Sequence, residues 1–148
     1  AIAVFLTLAY LTVQVRQNSR ALDLQNKFSA AQIMQARTDT VMGFTDMLLS
    51  SEENVQAQMV ASRISNKSVM REQDPSIAVR AASILSASRS LYENVYFQYK
   101  EGFLTDDFYK GLESNVALYA ESWLVQGTAM SSEFRDEVIR IYEKNKAA

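Results

Sequence analysis

Residues 74–104 read DPSIAVRAASILSASRSLYENVYFQYKEGFL, and this stretch decides the fold class. Asp74 suits a helix N-cap, where its carboxylate accepts orphan amide bonds, and Pro75 suits the first helical position, where a missing N–H costs nothing. Ile77, Ala81, Ile84, Leu91, Val95 and Tyr99 then step by three and four residues, with Ser88 filling one place. One stripe of a long helix therefore faces a core. Gly102 fits the left-handed position that follows a helix C-terminus, and Leu104-Thr105-Asp106-Asp107 opens the next helix with a capping threonine and acids at its positive end.

Working outward from this helix, the same grammar repeats. Phe108, Leu112, Val116, Tyr119 and Trp123 form a stripe spaced for a helix, with Leu104 placed to staple against Tyr109. Gly127 closes that helix, Ser131 caps the last, and Phe134, Val138, Ile141 and Tyr142 give it a buried face. Upstream, Ser50 and Glu53 have capping-box spacing and open a helix with Val55, Met59, Val60 and Ile64 as its apolar face. Strand signals are missing throughout, and four Gly with one Pro in 148 residues argue against an all-β or loop-rich fold. The expectation is all-α, with helices over about 16–49, 51–66, 75–101, 105–126 and 131–145. Short connections make the last four antiparallel neighbours in a bundle.

The N-terminal end has a different character. Residues 1–15, AIAVFLTLAYLTVQV, carry no charge, whereas every Asp, Glu, Lys and Arg lies between Arg16 and Lys146. A bilayer core of about 30 Å needs roughly 20 helical residues, so the 15 present reach only about 22 Å. Three readings compete for this run: a transmembrane anchor whose start is missing, a buried core helix, and the apolar part of a signal peptide. The anchor reading is preferred, because Tyr10, Arg16 and Arg20 lie where aromatic and long basic side chains reach headgroups. Arg16, Arg20 and Lys27 against Asp23 leave a local excess of positive charge, which places the chain after Arg16 in the cytoplasm. The chain then divides into an anchor over 1–15 and a cytoplasmic helical domain over 16–148. From Ala21 to Leu49 the helix has an interrupted stripe of Leu24, Phe28, Ala31, Met42 and Leu49, with Gln35 and Thr38 in the gaps.

Two stretches resemble a known group. Tyr10, Leu11, Gln14, Val15, Arg16, Gln17, Asn18 and Ser19 match a Y-L-x-x-Q-[IV]-R-Q-N-[TS] junction that follows the membrane helix in a family of uncharacterised bacterial single-pass proteins. The segment from Ser90 to Gly111 is similar to that family's aromatic helix and acidic helix start, carried by Glu93, Asn94, Tyr96, Gln98, Tyr99, Glu101 to Leu104, Asp106 and Asp107. Trp123 and Phe134 fit its later positions. The resemblance implies an inner-membrane protein with a cytoplasmic helical domain. No reaction comes with it.

Composition narrows the chemistry. Without His or Cys, the chain lacks a member of Ser-His-Asp triads, thiolate metal sites, disulfides and His-ligated haem. Residues 93–143 hold ten acidic against four basic residues, a net of −6, which repels phosphates and argues against nucleic acid. Glu93, Asn94 and Gln98 form the one candidate polar cluster, read first as a network that fixes the bundle and second as the wall of a ligand pocket. Asp106 and Asp107 beside Glu101 resemble a hard-cation site by charge alone, and helix-terminal complementarity explains them more simply. No catalytic residue, metal ligand or cofactor is assigned. The expected partners are the lipid bilayer and either a second copy or other membrane-protein subunits. The leading expectation is a non-enzymatic protein acting by association, with a tethered ligand sensor as the alternative.

Overall fold

The computed structural model describes residues 2–147, without the side chains of Phe5 and Leu6. The described residues are helical and contain no strand. They form α1 (Ile2–Leu49), α2 (Glu52–Ala61), α3 (Ser68–Arg71), α4 (Pro75–Lys100), α5 (Asp106–Gln126) and α6 (Ser132–Lys146). Two compact units result, the first ending at Phe44 and the second beginning at Thr45. Helix α1 is unbroken from Ile2 to Leu49, so the described part of the charge-free run continues into residues 16–49 without a helix end.

No helix among the described residues is long and apolar enough to cross a membrane. The physical reason is visible in the sequence. Any window of spanning length that starts in the charge-free run takes in Gln14, Arg16, Gln17 and Asn18, whose polarity pulls the mean hydropathy below what a span needs. The threonines of this segment bond back within the helix, Thr7 to the Ala3 carbonyl at 2.9 Å and Thr12 to the Leu8 carbonyl at 2.8 Å.

In the second unit, α2 packs on α4, α4 on α5 and α5 on α6, with α3 against α4. The helix ends form where local chemistry requires them. Asp74 Oδ1 accepts the Ser76 amide at 2.8 Å with Pro75 at the first turn. Thr105 and Ser131 accept the amides of Phe108 and Phe134, each at 3.3 Å. Gly102 and Gly127 both have positive φ, 78° and 66°. Around them the Phe103 amide returns to the Gln98 carbonyl and the Thr128 amide to the Trp123 carbonyl, paired C-terminal closures that absorb otherwise orphaned carbonyls.

Helix α2 departs from the sequence-based expectation in three ways. The cap of α2 is Ser51, whose hydroxyl accepts the Asn54 amide, while Ser50 bonds the Met47 carbonyl and closes α1. The buried face of α2 is Ala57, Ala61 and then Ile64, whereas Val55 and Met59 are exposed. Small side chains let the α2 and α4 backbones approach, and close approach outweighs the larger hydropathy of Val and Met at positions facing away. Helix α2 also ends at Ala61, earlier than expected. The Ile64 amide leaves the helical pattern to donate to Ser122 Oγ, 3.1 Å away and fully buried.

The core lies between α4, α5 and α6. Trp123, Phe134, Val138 and Ile141 have no exposed surface, and Val116, Tyr119, Ile84, Leu85 and Val95 close around them. The Trp123 ring stacks near Tyr119, with centroids 5.5 Å apart, and meets Phe134 and Tyr92 at tilted angles. Its indole N–H donates to the Leu85 carbonyl at 3.0 Å, satisfying the one polar atom of the ring. On α5 the first buried aromatic is Tyr109, not Phe108, which remains over a third exposed.

Candidate functional site

The polar candidates singled out by sequence all lie on the C-terminal half of α4, but the structure separates them. Glu93 turns toward α6. Its Oε1 accepts the Ser131 amide at 2.7 Å and its Oε2 accepts from Arg89 Nη1 at 2.7 Å, one turn earlier on the same helix. Burial alone raises the Glu93 carboxyl, but the Ser131 bonds and the Arg89 charge outweigh it and hold the group below the usual carboxylate range. Both oxygens are committed, so Glu93 clamps the entry to α6 onto α4. Asn94 and Gln98 form a separate pair on the outer side, with Gln98 Nε2 donating to Asn94 Oδ1. Asn94 is exposed and Gln98 half-buried.

A denser constellation, which sequence reasoning missed, joins α4, α5 and α6. Tyr99 and Tyr109 stack with centroids 4.3 Å apart and planes 4° from parallel. The Tyr99 hydroxyl donates to Asp106 Oδ1 at 2.9 Å, and the Tyr109 hydroxyl donates to Glu137 Oε1 at 3.1 Å. Arg140 reaches both Oε1 and Oε2 of Glu137 and also Glu113 Oε1, and Lys144 Nζ holds Glu113 Oε2 at 2.6 Å. The only part legible in the sequence is the one-turn spacing of Glu137 and Arg140. Glu113 lies on another helix, and pairing across helices leaves no periodic trace.

The electrostatics of this network are those of a fastener. Lys144 first, with Arg140 beside it, holds the Glu113 carboxyl below its usual range, and Arg140 does the same to Glu137. The two carboxylates in turn raise Arg140. Burial first, then Glu137, pushes the Tyr109 phenol well up, and burial pushes Tyr92 up to about 12. A phenol so disfavoured as an anion is a poor base or nucleophile at neutral pH, and carboxylates held ionised are poor general acids. Among the described residues no group of three or more acidic side chains is arranged to hold a metal ion. Glu101 and Asp107 are exposed, and Asp106 is engaged by Tyr99.

Two depressions lie elsewhere on the second unit. An open groove of about 450 Å³ is bordered by Ser62, Leu118, Glu121, Tyr142, Asn145 and Lys146. Within it the Tyr142 hydroxyl lies 3.5 Å from Glu121, and Lys146 sits over the Tyr142 ring at 5.7 Å. A smaller one, about 290 Å³, lies along Met59, Val60, Arg63 and Val69 on the outer side of α2. Neither includes Glu93, Asn94 or Gln98.

In the first unit the proposed interface residues occupy α1. Tyr10 is exposed, its hydroxyl accepting from Gln14 Nε2 at 2.8 Å, and Arg16 and Arg20 are exposed nearly two and nearly three turns further on. Lys27 pairs with Asp23 at 2.8 Å, both largely in solvent. No protein family, no curated protein and no solved structure was found to match the chain.

Proposed function

We propose that this chain is a non-enzymatic, single-pass membrane protein whose helical unit works by association, with a second copy or as an accessory subunit of a membrane assembly. One observation carries the reading. Over the first four turns of α1, Ile2, Val4, Leu8, Tyr10, Leu11, Val13 and Val15 are between 47% and 79% exposed and point to all sides of the helix. A helix that is apolar all round is stable only inside a protein core or in lipid.

The basic flank supports a cytoplasmic orientation. Arg16, Arg20 and Lys27 follow the apolar run, and a positive excess beside a membrane segment keeps that side inside. On this reading the run lies in the anchor of a bacterial inner-membrane protein, a reading supported by the resemblance at Tyr10 to Ser19. The strongly acidic stretch 93–143 disfavours contact with anionic lipid and nucleic acid and suits a unit held off the bilayer or set against a basic protein. The polar side chains of the bundle support association over chemistry, because Glu93, Glu113 and Glu137 are spent on joining helices. The same commitment of Glu93 weighs against a ligand sensor built around it.

Alkaline carbonate extraction of native membranes tests the anchor. Retention in the pellet, with release only by detergent, is the expected result; release by carbonate or high salt alone refutes it.

A further inference from the structure

We propose that α1 pairs in parallel with α1 of a second copy, through a seam that runs from Leu24 to Met42. This rests on the reading that the chain works by association, and its parallel sense rests on the anchor. The seam lies wholly within the first unit, and it starts from spacing. Leu24, Phe28, Ala31, Gln35, Thr38 and Met42 step by four and three residues without a slip, the 3.5-residue repeat that keeps one face of a helix turned to a like partner. Gln35 and Thr38, which interrupt an apolar stripe, are thus in phase with it. Met34 lies beside the seam at a flanking position. Leu24, Phe28, Met34 and Met42 are between 56% and 66% exposed.

Three features select a second copy as the occupant. Gln35 carries both a donor and an acceptor, so across a two-fold axis it satisfies an identical Gln35 at the same level, as a polar seam residue does when it fixes register. The flanking charges also suit a parallel, in-register pair. There Arg20 faces Gln25, Lys27 faces Gln32 and Met34 faces Asp39 of the other copy, so no like charges oppose and each cation meets an amide oxygen. Finally, Leu24, Phe28 and Met42 each leave more than half of their surface in solvent along this one face, apolar surface that pairing with a like face removes from water. Confinement to one membrane in one orientation raises the effective concentration of such pairs and enforces the parallel sense.

The chain has no Cys, so single introduced cysteines report proximity without background. In membranes holding the intact chain, Thr38→Cys lies on the seam and Ala21→Cys lies one three-residue step before Leu24 on the same face, while Asn26→Cys and Thr40→Cys lie on the opposite face. The seam pair should form disulfide-linked dimers under mild oxidation at least fivefold more than the outer pair, because only seam positions bring Cα atoms within disulfide reach. Adding Phe28→Glu to Thr38→Cys should cut that yield at least fivefold with helix content unchanged. Equal cross-linking at both faces, or linkage at only one of Ala21→Cys and Thr38→Cys, overturns the parallel seam. Absent cross-linking at every position overturns it too. A particle heavier than one chain in gently solubilised material then shows that association survives without this seam, whereas a bare monomer shows that both fail.

Discussion

Replacing Glu93 separates a clamp from a binding residue. Glu93→Ala removes an ion pair whose side chains are only 24% and 14% exposed, and it deprives the Ser131 amide of its acceptor. Arg89 Nε is already buried without a hydrogen-bond partner among the described residues, so the abandoned guanidinium has little to fall back on. A lost charge-assisted bond plus a stranded, partly buried donor amounts to about 2–4 kcal/mol. Glu93→Gln keeps an acceptor for Ser131 and loses only the charge, which costs about 1–2 kcal/mol. The single tryptophan, Trp123, is fully buried and reports this unit alone, so urea unfolding followed by its fluorescence is the assay. For an m-value of about 1.5 kcal/mol/M, Glu93→Ala should lower the midpoint by roughly 1–3 M.

The pH dependence of that difference is a second arm. The Glu93 carboxyl is depressed in the folded chain, so its contribution is present above the unfolded value of about 4.3 and is lost as pH falls through the folded value. The gap between wild type and Glu93→Ala should therefore be constant near neutrality and close below about pH 4. Midpoints within 0.3 M of each other at pH 7, taking about 0.5 kcal/mol as the scatter of an ordinary surface substitution, refute the clamp.

Other outcomes follow from the same geometry. Gly127→Ala should cost about 1–2 kcal/mol, since φ of 66° strains any Cβ even though nothing lies within 4 Å of it, while Gly111→Ala, mid-helix and facing open space, should gain up to about 1 kcal/mol. Chemical denaturation of both variants checks the opposite signs. Tyr92, Tyr96, Tyr109 and Tyr119 are raised chiefly by burial, so unfolded tyrosines ionise first and stability should fall as pH climbs above about 10. Tyrosinate absorbance rising together with the loss of Trp123 burial is the expected signature, and full ionisation of all seven tyrosines in a chain still folded would contradict it.

What was legible in the sequence is local. Asp74-Pro75, Thr105, Ser131, Gly102 and Gly127 act within a turn of their own position, and the structure uses each in that way. The α4 stripe was legible because its large apolar residues share one face. The α2 face was not, because Ala57 and Ala61 matter for their smallness, which hydropathy scores low beside Val55 and Met59. Phe108 and Tyr109 are adjacent and aromatic, and only the angle at which α5 meets α4 decides which goes inside. Glu93 stood out as an acid on a helix with an apolar face, but its partner is the backbone amide of Ser131, thirty-eight positions on. In the Glu113, Glu137, Arg140 and Lys144 network only the one-turn Glu137–Arg140 pair shows in the sequence, because the bonds of Arg140 and Lys144 to Glu113 are products of helix packing.

Association is the proposed mode of action of this chain. The mass of the native particle, released from membranes in mild detergent and measured with the detergent contribution subtracted, tests it most directly. The expected particle holds at least two copies of the chain, or one copy together with another membrane protein. A particle of one chain that carries nothing else contradicts it.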